Sequence, residues 1–173
     1  MSKSRLSVAV CGANELGDPA VVDMARALGA ALAVAGANLL CGGGGGVMEA
    51  ASLGFEEARA AGAPGGTVVA ILPGPDRAAH RGFADVVIPT GLGHARNVVL
   101  TLAADAVILV GGGAGTLSEA ALAWQQGKRV VALAASGGWA ARLAGQAIDE
   151  RRHDLVLLAR SPAEAVALAV GCG

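Results

Sequence analysis

Residues 106–119 constrain the fold most strongly, because an uninterrupted apolar run leads there directly into a glycine loop. The first five of these residues, AVILV, suit a strand that is covered on both faces of a sheet. GGGAG follows, and TLSE then begins a helical pattern. Since glycines let backbone N–H groups approach a ligand at the positive end of a helix, the segment predicts an anion site, most simply for a phosphate. Thr116 and Glu119 also match a capping box, which would serve only the helix, and both interpretations stay open.

Apolar runs and helical patterns alternate along the rest of the chain. The runs predict strands at residues 6–11, 38–41, 67–72, 85–88, 106–110, 129–133 and 155–158. Helices are predicted after the N-cap residues Asp18 and Ser161, from Val47, over residues 94–104, and from the end of GGGAG up to Gly127. This alternation with short connections predicts an α/β fold of the Rossmann-like kind, in which a single doubly wound, mainly parallel sheet carries helices on both faces. One domain is expected over residues 1–173.

Three glycine-rich loops follow predicted strands, at residues 12–17, 42–46 and 111–115, and are called here the first, second and third glycine loops. The second consists of five consecutive glycines, which is costly in chain entropy unless the backbone must pass where side chains cannot. Loops at the carboxyl ends of parallel strands converge on one edge of the sheet, where such folds bind their ligands. The three loops together therefore predict one binding site at that edge.

Two common nucleotide signatures are missing from these loops. A dinucleotide site needs G-x-G-x-x-G after the first strand and an acidic residue ending the second, but the chain has GANELG and Cys41. A P-loop needs a lysine after its last glycine, whereas Thr116 follows Gly115. The chain's lysines are Lys3 and Lys128, so a Schiff-base enzyme would depend on Lys128. What remains is a site for a monophosphate on a mostly neutral ring system.

Arg96 and Glu119 can supply charge to this site. An arginine near a helix N-terminus opposes the helix dipole, so a nearby ligand anion would explain Arg96 better than helix stability does. Glu119 lies near the start of its helix, where it could accept hydrogen bonds from a ribose diol or stabilise an oxocarbenium-like sugar. His94 could carry a proton or bind phosphate, although a helix cap or a packed side chain is the commoner use of such a histidine.

Composition excludes several partners. Thirteen basic and fourteen acidic residues leave a net charge of −1, and two Trp, two Phe and no Tyr provide no stacking platform, so nucleic acid is not expected. No apolar run is long enough to span a bilayer, which excludes a membrane partner and predicts a cytoplasmic location. Cys11, Cys41 and Cys172 lack metal-ligand or CxxC spacing, so no metal site is expected and the thiols are interpreted as small core residues.

At these residues the chain resembles the superfamily of Rossmann-like proteins that are often mislabelled lysine decarboxylases. The segments that carry the resemblance are GGGGGVME at 42–49, AILPG at 70–74, GLGHARN at 91–97 and GGGAGTLSE at 111–119. One branch, the LONELY GUY-type phosphoribohydrolases, carries P-G-G-x-G-T-x-x-E and M-H-x-R-K, from which this chain departs at Gly111, Gly93 and Asn97. The other branch, the molybdenum-cofactor carrier proteins, usually carries Ala-Arg-Asn and GGGxGTLSE. Asn97, Gly111 and residues 71–74 fit this carrier branch better.

The resemblance implies a protein that binds a monophosphate-bearing small molecule, with a molybdenum-cofactor carrier as the first choice. The alternative is a phosphoribohydrolase that cleaves the N-glycosidic bond of AMP or N6-modified AMP to a free base and ribose 5-phosphate. Only in that case would Arg96 and Glu119 be catalytic, so whether the chain is an enzyme stays open, and lysine decarboxylation is not expected. No cofactor is required, although molybdenum cofactor is a candidate bound ligand, and the resemblance implies a homodimer or homotetramer. The predicted ligand-binding residues are Gly12, Asn14, Gly43, Gly44, Gly45, Gly46, Met48, Arg96, Asn97, Gly112, Gly113, Gly115, Thr116 and Glu119.

Overall fold

A seven-stranded, entirely parallel sheet forms the centre of the molecule in a computed structural model that describes residues 4–15 and 17–171. The strands are β1 Ser7–Gly12, β2 Asn38–Cys41, β3 Val68–Leu72, β4 Val86–Pro89, β5 Ala106–Val110, β6 Arg129–Leu133 and β7 Leu157–Ala159. They lie in the order β4-β3-β2-β1-β5-β6-β7. The predicted α/β, doubly wound sheet is confirmed.

Helices cover both faces of this sheet. They are α1 Pro19–Val34, α2 Val47–Ala60, α3 Arg96–Ala103, α4 Ala114–Gln125, α5 Gly138–Leu143 and α6 Pro162–Val170. Buried side chains of α1, α2 and α6 form one core with one face of the sheet, and those of α3, α4 and α5 form a second core with the other. Successive residues of β1 alternate between the cores, with Val8 and Val10 in the first and Ala9 and Cys11 in the second. Both faces are apolar, which explains why the strands read as continuous hydrophobic runs.

The strand order reverses at β1, which lies between β2 and β5. The chain proceeds from β1 towards β4 on one side and then crosses over to β5 on the other. A crevice opens at the carboxyl end of such a reversal, because the connections on its two sides leave in opposite directions. The glycine loops that follow β1, β2 and β5 all lie at this edge of the sheet.

Most element boundaries agree with the sequence patterns, and the largest displacement of a strand has a clear cause. The predicted strands at 38–41 and 129–133 match β2 and β6, whereas β7 begins two residues later than expected. Val156 does not join β7 because its backbone pairs with other residues. Its N–H donates to the Gln146 carbonyl (2.9 Å), and its carbonyl accepts from the Gly145 N–H (2.8 Å). The short helix α5 was not predicted. No helix within residues 4–15 and 17–171 is both long and apolar enough to cross a bilayer.

Two of the predicted N-terminal helix caps are confirmed, and a third is wrong. Asp18 accepts a hydrogen bond from the Ala20 N–H (2.9 Å), and Ser161 accepts one from the Glu164 N–H (3.2 Å). The capping-box interpretation of Thr116 and Glu119 was wrong, because α4 begins at Ala114 with Gly113 as its N-cap and no side chain caps it. Thr116 thus lies inside the first turn. The helix expected over 94–104 begins as a 3-10 turn, Gly93–Ala95, and becomes α-helical at Arg96.

Candidate functional site

The first and second glycine loops are in direct contact at the carboxyl edge. The Val47 N–H, at the start of α2, donates to the Ala13 carbonyl (3.0 Å). Gly46 precedes α2 with φ +60°, and a Cβ at this position would overlap the Ala13 carbonyl oxygen. A side chain is excluded at Gly46 both by its backbone conformation and by the neighbouring loop.

Gly12 is the point where all three loop regions approach one another. A Cβ here would lie 2.5 Å from the Val110 carbonyl oxygen, at the end of β5, and 2.7 Å from the Val47 Cβ. The three loops that the sequence grouped are therefore neighbours in space. Glycine at this position allows β1, β5 and the start of α2 to close on one another.

The third glycine loop is divided between an anchored part and a free part. The Gly111 N–H donates to Ser136 Oγ (2.7 Å), and the carbonyls of Gly111 and Gly112 accept from the N–H groups of Ala140 (3.0 Å) and Trp139 (3.1 Å) at the start of α5. Within the described residues, the N–H groups of residues 113–116 have no acceptor. These free donors lie at the N-terminus of α4, where an anion would satisfy them.

Arg96 and Glu119 form an ion pair between α3 and α4. Arg96 Nη1 donates to Glu119 Oε1 at 3.2 Å, and only 14% and 9% of the two side chains are exposed. Arg96 Nε is buried and has no hydrogen-bond partner within the described residues. The guanidinium therefore keeps donor capacity that the protein itself does not use.

Burial has the largest effect on the pKa values of Glu119 and of the neighbouring Cys11. It raises the pKa of Glu119, while the charge of Arg96 and hydrogen bonds from the Cys11 thiol and Arg96 act in the opposite direction. Burial and the neighbouring Glu119 also raise the pKa of Cys11 well above its usual value. Cys11 and Cys41 are buried, which confirms their interpretation as core thiols, whereas Cys172 lies outside the described residues.

Gly42 leaves room for the Arg96 guanidinium because it has no side chain. A Cβ added to Gly42 would be 2.7 Å from Arg96 Cζ and still closer to both terminal nitrogens. The guanidinium occupies the space that any side chain at Gly42 would require. The second glycine loop thus makes room for an arginine, a function that the sequence pattern did not indicate.

A cleft of about 430 Å³ opens beside Arg96, over the carboxyl ends of β2 and β3. It is lined by Asn14, Gly42, Gly43, Gly44, Leu72, Pro73, Gly74, Pro75, Asp76, Ala79 and Arg96. Four of the predicted ligand-binding residues, namely Asn14, Gly43, Gly44 and Arg96, line it. Glu119 and the third glycine loop lie outside its lining, on the side of Arg96 nearer to β5.

The remaining predicted site residues lie around this cleft with different surroundings. A Cβ at Gly44 would lie 2.9 Å from the Cε of Met48, which is buried. Asn97 is also buried, and its Nδ2 donates to Ser118 Oγ (3.0 Å), which connects α3 to α4. Thr116 is buried in the first turn of α4, while His94 is exposed in the 3-10 turn before α3.

One wall of the cleft was missed by the sequence-based prediction. It comes from the β3–β4 connection, where Pro73 and Gly74 accept hydrogen bonds from the N–H groups of Gly93 (2.9 Å) and Gly91 (3.1 Å). Proline and glycine predicted a loop here, and the AILPG segment contributed to the resemblance. Neither signal indicates that the loop folds back across the second glycine loop.

A larger hollow, about 710 Å³, lies at the opposite edge of the sheet, beside Leu6 and Arg129. Its arginines already serve the protein: Arg129 donates to the Leu168 carbonyl (3.0 Å) and Arg152 to the Trp124 carbonyl (2.9 Å). None of the predicted site residues lines it. Chemistry rather than volume therefore identifies the carboxyl-edge cleft as the candidate site. No cluster of three or more His, Cys, Asp or Glu side chains suited to a metal occurs in the described part of the chain.

Comparison with known proteins agrees with this architecture. An uncharacterized protein of Archaeoglobus fulgidus is 44% identical over 128 residues, which cover 74% of this chain and 80% of that protein. The molybdenum cofactor binding protein from the phototrophic bacterium Rippkaea orientalis has a similar structure, with 33% identity, 99% of both chains covered and a TM-score of 0.82. The molybdenum cofactor carrier protein of Chlamydomonas reinhardtii is 31% identical, with 97% of this chain and 98% of that chain covered and a TM-score of 0.77.

The family comparison covers nearly the whole chain. The model of the SLOG cluster4 family matches residues 5–166, from just before β1 into α6. The superfamily named from the sequence motifs, which includes the carrier proteins, is confirmed by this match and by the structural likeness. The chain belongs to the SLOG cluster4 family.

Proposed function

We propose that this protein binds a small molecule bearing one phosphate group at the carboxyl edge of its sheet, and that molybdenum cofactor is that molecule. Two structurally similar proteins are described as binding or carrying molybdenum cofactor. Their likeness extends over almost the full length of this chain. The protein is then a carrier, for which the cofactor is cargo.

One observation carries the proposal: a largely buried arginine with unused donors lines an open cleft. Arg96 has a single acceptor among the described side chains, Glu119, and its buried Nε has none. A buried guanidinium is stable when its N–H groups are paired, so this arrangement favours an anionic ligand. Phosphate suits the planar donor fork of arginine, and the free N–H groups of residues 113–116 provide a second set of donors nearby.

The other walls of the cleft favour a flat, mostly uncharged body on the same ligand. Leu72, Pro73, Pro75 and Ala79 give the cleft apolar lining, beside Asp76 and the backbone of the second glycine loop. A volume of about 430 Å³ lies within the range of small-molecule sites, roughly 300–1,000 Å³. A fused heterocycle carrying a phosphate, such as a pterin or a purine nucleotide, suits this apolar lining and the donors of Arg96.

Phosphoribohydrolase activity is the second candidate, and the Arg96–Glu119 pair favours it. That reaction requires a carboxylate that reaches the sugar carbon of the substrate. Glu119, however, is buried beside Arg96 and does not line the cleft. This placement suits a group that orients Arg96 better than one that attacks or stabilises a sugar, and we therefore place the carrier first.

Titration calorimetry with AMP, combined with an assay for ribose 5-phosphate, separates these functions. We expect AMP, as a phosphate-bearing heterocycle, to bind without release of ribose 5-phosphate, and Arg96→Gln to weaken binding at least about tenfold by loss of a charge-assisted contact. Arg142→Gln on the exposed surface of α5 is the matched control and leaves affinity unchanged. If the wild-type protein releases ribose 5-phosphate and Glu119→Gln abolishes that release, the protein is a phosphoribohydrolase and the carrier proposal is wrong.

We further propose that the protein acts in the cytoplasm as a homodimer or homotetramer, without a nucleic-acid or membrane partner. Val98, Val99 and Leu102 on α3 are exposed, and such apolar surface is commonly covered in oligomers. Light scattering coupled to size-exclusion chromatography is expected to give two or four chains per particle. A monomer at micromolar concentration would contradict this.

A further inference from the structure

The β3–β4 connection brings a histidine to the back of the cleft. Ala79 lines the cleft, and the next residue, His80, lies beside the second glycine loop. Its Cδ2 atom is 3.6 Å from the position that a Cβ would take on Gly43, which also lines the cleft. His80 itself does not line the cleft, so its ring lies behind the wall to which Gly43 and Ala79 belong.

The hydrogen bonds of His80 define which ring nitrogen carries the proton. Nδ1 accepts a hydrogen bond from the Gly82 N–H at 3.0 Å, so it is unprotonated and the proton of the neutral ring is on Nε2. Burial lowers the pKa of His80 and so favours the neutral ring, while the charge of Glu49 acts in the opposite direction. Nε2 is buried and has no partner within the described residues. The ring thus presents an unused N–H donor.

Neighbouring contacts hold this ring in one orientation. Its centroid lies 4.3 Å from that of Phe83, which is itself buried. The next residue, Arg81, forms an ion pair with Glu49 of α2 at 3.1 Å. These contacts flank His80 on both sides. They hold the orphan donor behind the cleft wall in one orientation.

We propose that the β3–β4 connection binds the heterocycle of the ligand, and that His80 donates its Nε2 hydrogen to a ring nitrogen or ring carbonyl of that heterocycle. This inference rests on the proposed function, with the phosphate of the same ligand at Arg96. Because Nε2 is buried, this contact requires the wall to open. Between Leu72 and Val86, a stretch that the structure describes in full, regular structure is limited to the 3-10 turn Arg77–Ala79, so few backbone hydrogen bonds oppose that movement. Pairing the buried N–H with a ligand acceptor removes the penalty of an unsatisfied donor.

Two probes test this assignment. AMP carries a phosphate, a ribose and the adenine ring, whereas ribose 5-phosphate lacks the ring. We expect His80→Ala to weaken AMP binding about tenfold and to leave ribose 5-phosphate binding within about twofold of wild type. His80→Gln, which keeps an N–H donor near the position of Nε2, restores most of the AMP affinity. His153→Ala, on the exposed surface, is the control and changes neither affinity.

A second measurement keeps the test independent of variant folding. In imidazole ¹⁵N–¹H spectra of the wild-type protein, the Nε2–H signal of His80 shifts on saturation with AMP and stays in place with ribose 5-phosphate. An unmoved signal with AMP, or equal losses for both probes in His80→Ala, overturns the assignment of His80 alone. If neither probe binds the wild-type protein, the proposed function fails and this inference fails with it.

Discussion

Replacing Gly42 by alanine is the sharpest perturbation of the candidate site, because one methyl group competes directly with the Arg96 guanidinium. The added Cβ would lie 2.7 Å from Arg96 Cζ, whereas ordinary carbon contacts are about 3.5–4.0 Å. The guanidinium must therefore retreat by roughly 1 Å. We expect this displacement to disturb the hydrogen bond from Nη1 to Glu119 Oε1, which is 3.2 Å long.

The expected loss of stability follows from the burial of Arg96 and Glu119. Hydrogen bonds to charged groups contribute about 1.5–3 kcal/mol, and at most 14% of either side chain is exposed here, so little solvent screening reduces this figure. We expect Gly42→Ala to lower the free energy of unfolding by about 1.5–3 kcal/mol. Because Arg96 also leaves the cleft wall, affinity for AMP falls about tenfold or more.

Urea unfolding and AMP titration measure the two effects. Gly74→Ala is the matched control, since Gly74 lines the same cleft but its added Cβ meets nothing within 4 Å. In an Arg96→Ala background the space beside Gly42 is vacant. Gly42→Ala should then lower the free energy of unfolding by less than about 0.5 kcal/mol. If Gly42→Ala matches Gly74→Ala in stability and affinity, the placement of the guanidinium against Gly42 is refuted.

Three further predictions concern stability and protonation. Burial raises the pKa of Cys41 to about 11, so in a Cys172→Ser background Ellman's reagent at pH 8 should label no thiol until denaturant is added; rapid labelling of the folded protein would contradict this. Gly115→Ala should raise the free energy of unfolding by about 0.5–1 kcal/mol, since Gly115 lies in α4 and its Cβ meets nothing, and an unchanged urea midpoint would argue against it. Burial raises the pKa of Glu119 in the folded state, so the folded protein binds that proton more tightly than the unfolded chain. The stability of wild type relative to Glu119→Gln should therefore fall as pH rises from about 4.3 to 7, and parallel urea curves at both pH values would contradict it.

Local patterns predicted the sheet and most of its helices. The strands at 38–41 and 129–133 and the caps at Asp18 and Ser161 depend on neighbouring residues, which a sequence displays directly. The helix α5 depends on something else. It has six residues, and its first N–H groups, at Trp139 and Ala140, donate to carbonyls of the third glycine loop. These anchors are distant in sequence, so no local pattern indicates them.

The candidate site was predictable in its charged residues but not in its shape. Arg96 and Glu119 stood out because an arginine at a helix start requires an explanation, yet their pairing across 23 residues depends on the packing of α3 against α4. The cleft wall from the β3–β4 connection, and the position of His80 behind it, depend on a long loop folding back over the sheet edge. Composition places proline and glycine there but does not indicate the direction of the loop.

The most direct test of cofactor binding is to measure the molybdenum cofactor that stays bound to the protein through purification. Wild type, Arg96→Gln and Arg142→Gln would be purified from a host that makes molybdenum cofactor, and molybdenum and oxidised pterin would be quantified per chain by mass spectrometry and fluorescence. We expect molybdenum and pterin in wild type and in the Arg142→Gln variant, and their loss from the Arg96→Gln variant. Cofactor binding at Arg96 is contradicted if wild type retains no more molybdenum and pterin than an unrelated protein does. It is also contradicted if the Arg96→Gln variant retains as much of both as wild type.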